Sequence, residues 1–153
     1  MGLLAPHGRR RGGDGPARLT ARAIVVHGLA DAEAALAAAV ELGLPVTLVS
    51  APSGAAAGGA GWFEAVVRRA AAAHPAVEVT AILDCGDRAD LAQAALRQGL
   101  KDVCFRGPAR VAERLADIAR QRDARLHRRL PPALDLFGAA DRAAACRRWL
   151  AGG

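Results

Sequence analysis

The apolar positions of this chain fall into short continuous runs, separated by longer stretches with helical spacing. Ala23-Ile24-Val25-Val26-His27 is the first run and ends at Gly28. A run that is apolar throughout suits a strand covered on both sides in a parallel sheet. Asp31 offers an N-cap, and Ala32 to Leu42 reads as an alanine-rich helix with Leu36 and Val40 one turn apart. Gly43 and Pro45 stop it. Val46 to Ser50 is the second strand. Ala51 to Gly61, rich in glycine, reads as a flexible loop before a helix with Trp62, Phe63, Val66, Val67 and Ala70 on one side. Val77 to Leu83 is the third strand, and Asp84-Cys85-Gly86 is its turn. Asp87 is expected to cap the next helix, which Gly99 closes. Asp102 to Phe105 is the fourth strand. Gly107-Pro108 opens a helix with Val111, Leu115 and Ile118 as its core stripe, running to Leu126 or beyond. Pro131-Pro132 then separates a last amphipathic helix, Ala139 to Leu150.

Four strands alternating with helices imply a parallel sheet with right-handed crossovers. The expected fold is α/β, an open three-layer sandwich with a four-stranded parallel sheet, flavodoxin-like, with the first strand inside and helices on both faces. Residues 1–20 read as a disordered basic arm, 21–127 as the α/β domain, and 128–153 as a Pro-Pro linker with its C-terminal amphipathic helix.

Composition modifies this picture in two ways. The hydrophobic fraction is 52% but aromatics are only 3%, so the core must rest on a few Val, Ile and Leu positions among closely packed alanines. Charge is also uneven. Residues 1–22 carry five arginines against Asp14, residues 23–105 carry five basic residues against nine acids, and residues 106–153 carry eleven arginines against five acids. An acidic body thus has basic ends, open to a protein partner or to nucleic acid. No aromatic interleaving supports base stacking. An arginine stripe of Arg110, Arg114 and Arg125 with Gln121, Arg128 and Arg129 reads mainly as a solvated face. Lys101 is the only lysine, so arginine usage follows genome bias rather than a need for forked donors. Cys85, Cys104 and Cys146 have no metal-binding or paired spacing and are expected as free thiols in the cytoplasm. No apolar run is long enough for a membrane span.

In an open α/β sheet, ligands bind beyond the carboxyl ends of the strands. The candidate ligand-binding residues are Ser53, Gly54, Gly58 and Gly59 after the second strand, Asp84 and Asp87 after the third, and Arg106 after the fourth. Glycine-rich backbone at a helix start suits an anion, although the P-loop and dinucleotide fingerprints are both absent. Asp84 and Asp87 read more simply as a turn acceptor and a helix cap than as acid and base. Cys85 reads as a structural thiol, His27 as a metal ligand is a minor reading, and Arg106 is expected to pair with Asp84. No catalytic residue, metal site or cofactor is indicated.

From Gly61 to Ala119 the chain resembles the second half of a response-regulator receiver domain. The carrying phrases are Ala72-Ala73-His74-Pro75, the strand Val77 to Leu83 with Gly86-Asp87, then Ala94-Ala95-Leu96-Arg97-Gln98-Gly99 followed by Lys101-Asp102-Val103 and Arg106. Aldolase-type barrels carry similar phrases. The receiver's acidic pair, acceptor Asp and lysine would fall on His27-Gly28, Ser50 and Arg106, so the resemblance implies a degenerate receiver without Asp phosphorylation. The leading functional reading is a non-enzymatic regulatory or protein-interaction module. Two others stand beside it: a small enzyme or binding protein acting on a phosphorylated metabolite, and a nucleic-acid-associated protein using its basic termini.

Overall fold

The computed structural model describes residues 21–153; the expected basic arm, residues 1–20, lies outside the described residues. The chain runs β1 (Ala23–Val26), α1 (Leu29–Leu42), β2 (Val46–Ser50), α2 (Gly54–Ala57), α3 (Gly59–Ala73), β3 (Val79–Asp84) and α4 (Ala89–Gln98). It continues with β4 (Asp102–Cys104), α5 (Ala109–Gln121), β5 (Arg125–His127), β6 (Ala133–Asp135) and α6 (Arg142–Leu150). All these strands join one parallel sheet in the order β5-β4-β3-β2-β1-β6. The α/β class and the interior place of β1 agree with the sequence pattern.

The sheet has six strands rather than four. The two extra strands, β5 and β6, are three residues each. One holds Arg and His, and the other sits directly after Pro131-Pro132, so neither shows an apolar run. The expected long helix accordingly ends at Gln121, and Asp123 turns the chain with φ +56.

Strands β1 to β5 are laid down side by side in sequence, always stepping the same way. Right-handed crossovers then return on the same side each time. Burial agrees with this. Ile24, Val26, Val46, Leu48, Leu83 and Val103 share one apolar cluster with buried residues of every helix from α1 to α6. By the two-residue period of a strand and the observed register, these side chains form one face, here called outer. The three-layer sandwich with helices on both faces is therefore not what forms. A receiver-type sheet also follows the order 2-1-3-4-5, whereas here β2 pairs directly with β3.

The inner face carries Val25, Thr47, Val49, Thr80, Ile82, Asp84, Asp102, Cys104, Arg125 and His127. Val49, Ile82, Thr47, Asp84 and Asp102 are buried there although they stand apart from the helix-backed cluster. The sheet buries them by curling. Only residues 128–132 link β5 to β6, the two outermost strands. Such a link reaches about 20 Å at most, whereas flat strands spaced about 4.8 Å apart would put β5 and β6 about 24 Å apart. The edges are thus drawn toward each other around a polar interior.

Helix α6 closes the structure by packing on α1. Asp141 caps it, accepting from the Ala144 N–H at 3.0 Å, and Arg142 reaches the buried Asp31 at 2.6 Å. The Trp149 indole donates to the Ala23 carbonyl at 2.8 Å, tying the helix to β1. No helix among the described residues is long and apolar enough to cross a membrane.

Candidate functional site

Parallel strands place their carboxyl ends on one side of the sheet, and the main polar cluster lies there. Asp84 ends β3 with its side chain only 1% exposed. A carboxylate taken out of water needs its oxygens filled, and three segments fill them. The Gly86 N–H donates at 2.9 Å, the Ser53 N–H at 3.2 Å, and Arg106 Nη2 lies 2.9 Å from Oδ1 and 3.2 Å from Oδ2. The Asp84 N–H in turn donates to Ser50 Oγ at 2.9 Å. Burial and these donors make Asp84 the hub that fixes the ends of β2, β3 and β4 together.

Backbone shape follows from that hub. Ser53 adopts φ +53, a left-handed conformation uncommon for a residue other than glycine, and this aims its N–H at Asp84. Gly54 approaches Ser50 so closely that a Cβ would stand 2.7 Å from Ser50 Oγ. Gly86, at φ +57, would bring a Cβ 3.1 Å from Ser53 Oγ. The glycine-rich segment is folded rather than loose. Its Gly54, Ala56 and Gly58 N–H groups donate to Ala51, Ser53 and Gly54 carbonyls.

Arg106 is 40% exposed, so one side of its guanidinium meets buried Asp84 and the other meets solvent. Its hydrogen bond to Asp84, against the opposing cost of burial, raises its already high pKa. Arg128 stands nearby, donating to the Gly107 carbonyl at 2.7 Å with its guanidinium 5.9 Å from the Phe105 ring centroid. Cys85 is buried, and desolvation, then the Asp84 charge, push its thiol up to about 12. It remains a thiol at neutral pH and is not an activated nucleophile.

A second polar group sits at the ends of β1 and β6. His27 Nε2 lies 2.8 Å from Asp135 Oδ1. Asp135 also accepts from the Phe137 N–H at 2.9 Å, and that bond, with His27 after it, holds its carboxyl below the usual range. Phe137 is 81% exposed, with its ring centroid 5.5 Å from that of His27. The His27 N–H donates to Asp31, which receives Arg142.

Of the sequence-derived candidates, the fold brings together Ser53, Gly54, Asp84 and Arg106. Gly58 and Gly59 lie at the start of α3, where Gly58 faces the Trp62 ring. Asp87 is exposed and joins neither Asp84 nor Arg106. His27 follows β1 and Cys85 follows β3, with β2 between them. The arginine stripe is broken, because Arg125 turns inward to Asp102 at 3.0 Å. Sequence reasoning missed Arg128 and the His27–Asp135 pair. Both depend on β5 and β6, whose existence the sequence pattern did not signal.

A family model described as fructose-bisphosphate aldolase class-II matches residues 17–121, a span that takes in β1 through α5. No curated protein matches the chain. The match overturns the receiver resemblance and, with it, the expected non-enzymatic regulatory module. The phrases that suggested a receiver, a helix ending in glycine before a short strand, are common to any right-handed strand–helix repeat. What separates the two folds is strand order, which such phrases do not encode.

Proposed function

The chain belongs to the fructose-bisphosphate aldolase class-II family, and on that premise we propose that it is a small enzyme acting on a phosphorylated sugar metabolite held at the carboxyl ends of β2, β3 and β4. The observation that carries this reading is Arg106, fixed from behind by buried Asp84 and open to solvent in front. A fixed guanidinium presents forked donors to phosphate without losing its own freedom on binding. Asp84 by itself repels an anion. Paired with Arg106 it is neutralised, and Arg128 beside Gly107 adds a further cation at this end of the sheet.

Proton transfer falls to His27. Asp135 accepts hydrogen bonds only, so the His27 nitrogen facing it carries the ring proton. Nδ1 is then left as an acceptor, suited to general-base work. Strand β2 alone separates β1 from β3, placing this pair about 10 Å from Asp84. A phosphorylated sugar spans that distance.

Carbon–carbon cleavage of the aldol type also leaves an enolate, which needs a metal ion or a protonated imine on lysine. Among the described residues no group of three or more His, Cys, Asp and Glu side chains is placed to hold a metal. Lys101 precedes β4 at the opposite end of the sheet, where its Nζ donates to the Arg122 carbonyl at 2.9 Å. The donor set thus fits neither electrophile, and the roles assigned to this chain's own residues are phosphate binding and proton transfer.

Calorimetric titration with fructose 1,6-bisphosphate and with fructose tests the reading. Binding of the bisphosphate alone, weakened about tenfold or more in Arg106→Ala, is the expected result. Equal binding of both sugars, or an Arg106→Ala variant with unchanged affinity, would refute it.

A further inference from the structure

A cavity lies toward the opposite, amino end of the strands, away from Asp84 and Arg106. Its volume is about 320 Å³, within the range of small-ligand pockets. Thr47 and Ile82 of the inner sheet face form one wall, and Arg125 and His127 of the edge strand β5 form another. Ala116 and Ala119, toward the C-terminal end of α5, complete its apolar side.

Two observations point to a ligand there. Thr47 is only 2% exposed, and its Oγ1 has no hydrogen-bond partner among the described residues. A buried hydroxyl left unpaired costs about 1–3 kcal/mol, so its retention against the cavity calls for a partner. Arg125 supplies the second. Its Nε and Nη2 face Asp102 at 3.0 and 3.4 Å, which leaves Nη1 outside that pair. His127 Nε2 also contacts Asp102 Oδ1 at 2.8 Å.

Charge selects the class of ligand. Asp102 already neutralises Arg125, and Arg120 at the rim is paired with Asp117. A dianion would set two further charges beside the Asp102 carboxylate with only Arg125 for all of them to share. A single negative charge matches one free guanidinium nitrogen and one hydroxyl, and a short apolar chain matches Ile82, Ala116 and Ala119. We propose that this cavity binds a small monocarboxylate bearing a short alkyl chain, with its carboxylate accepting from Thr47 Oγ1 and Arg125 Nη1. The site is separate from the sugar-phosphate region and does not rest on the function proposed for that region.

Hexanoate, hexanol and inorganic phosphate serve as probes against the full chain, read by calorimetry and by amide chemical shifts. Hexanoate is expected to saturate in the millimolar range or below, shift Thr47, Ile82 and Leu126, and bind more tightly than hexanol. Inorganic phosphate is expected to leave those three amides unmoved. Thr47→Val keeps the shape and removes the hydroxyl, and should weaken hexanoate about fivefold or more. Ala116→Phe fills the space and should abolish binding, whereas Arg106→Ala should leave it unchanged. Hexanoate that fails to bind, that binds no better than hexanol, or that binds Thr47→Val at full strength would overturn the proposal. So would an Arg106→Ala variant that loses hexanoate, since the ligand would then sit at the other end of the sheet.

Discussion

The two faces of the curled sheet are built from the same strands by different chemistry. The outer face is Ile24, Val26, Val46, Leu48, Leu83 and Val103, all in one apolar cluster with the helices. The inner face alternates Val25, Val49 and Ile82 with Thr47, Thr80, Asp84, Asp102, Cys104, Arg125 and His127. Apolar burial holds the first together, at ~25 cal/mol per Å². On the second, ion pairs and hydrogen bonds set position rather than bulk stability, since a buried pair gains little over an apolar substitute. The outer face therefore accounts for the fold, and the inner face with its carboxyl-end rim carries the polar groups to which the proposed chemistry is assigned.

This division predicts unequal responses to substitution. The largest effect is expected on the outer face. Leu48 is fully buried among helix residues, and Leu48→Ala should cost about 2–5 kcal/mol through lost transfer and a residual cavity. Urea denaturation would read it as a lower midpoint at constant slope. A loss under about 1 kcal/mol would mean that the alanine-rich helices collapse into the space, and the contrast between faces would weaken.

Arg106→Ala comes next. It removes the side-chain cation from Asp84 but leaves the Ser53 and Gly86 N–H groups in place. A cost of about 1–3 kcal/mol at neutral pH is expected, as for a buried acceptor losing one charged partner. Adding Asp84→Asn should recover part of it, because the stranded charge is then gone. If the double variant is no more stable than the single one, Asp84 is anchored by its N–H donors alone.

These contrasts also explain what the sequence revealed and what it concealed. The longer apolar runs, Ala23 to His27, Val46 to Ser50 and Val77 to Leu83, were legible because inner-face Val and Ile make them read as buried on both sides. The same feature misled on architecture. A strand buried by helices on both faces and a strand buried by curling show the same run, so the sequence suggested a sandwich. Strands β5 and β6 were invisible because Arg125, His127 and Asp135 occupy inner or rim positions where polarity serves the site. Arg106 and Asp84 stood out as candidates because each follows a recognisable strand. Their neighbour Arg128 was missed because it follows β5, and the His27–Asp135 pair because Asp135 lies in β6.

On the inner face, Thr47→Val should act in the opposite direction to Leu48→Ala one position away. Its hydroxyl has no partner among the described residues, so replacing it with a methyl should raise ligand-free stability by about 1 kcal/mol. Thermal melting would show an increase of roughly 2–8 °C, the scale of such a change in a domain of this size. A lower melting temperature would mean that the hydroxyl is already satisfied in solution, for example by ordered water.

The smallest effect is expected at the rim, where Asp135 is half-exposed. Its carboxyl sits below the usual range chiefly because of the Phe137 N–H, with His27 adding to it. A folded-state value below the unfolded one favours the charged form in the native protein. The stability gained is therefore full above the unfolded value of about 3.9 and drains away as pH falls through the lower folded value. Solvent screening keeps the amount below about 1 kcal/mol. Asp135→Asn should thus lose little at pH 7 and show a shallower decline in stability below about pH 4 than the parent. Identical acid limbs for the two proteins would mean that the Phe137 turn and the His27 contact do not persist in solution. The polar rim at β1 and β6 would then be less fixed than the one around Asp84, and the base role given to His27 would lose its support.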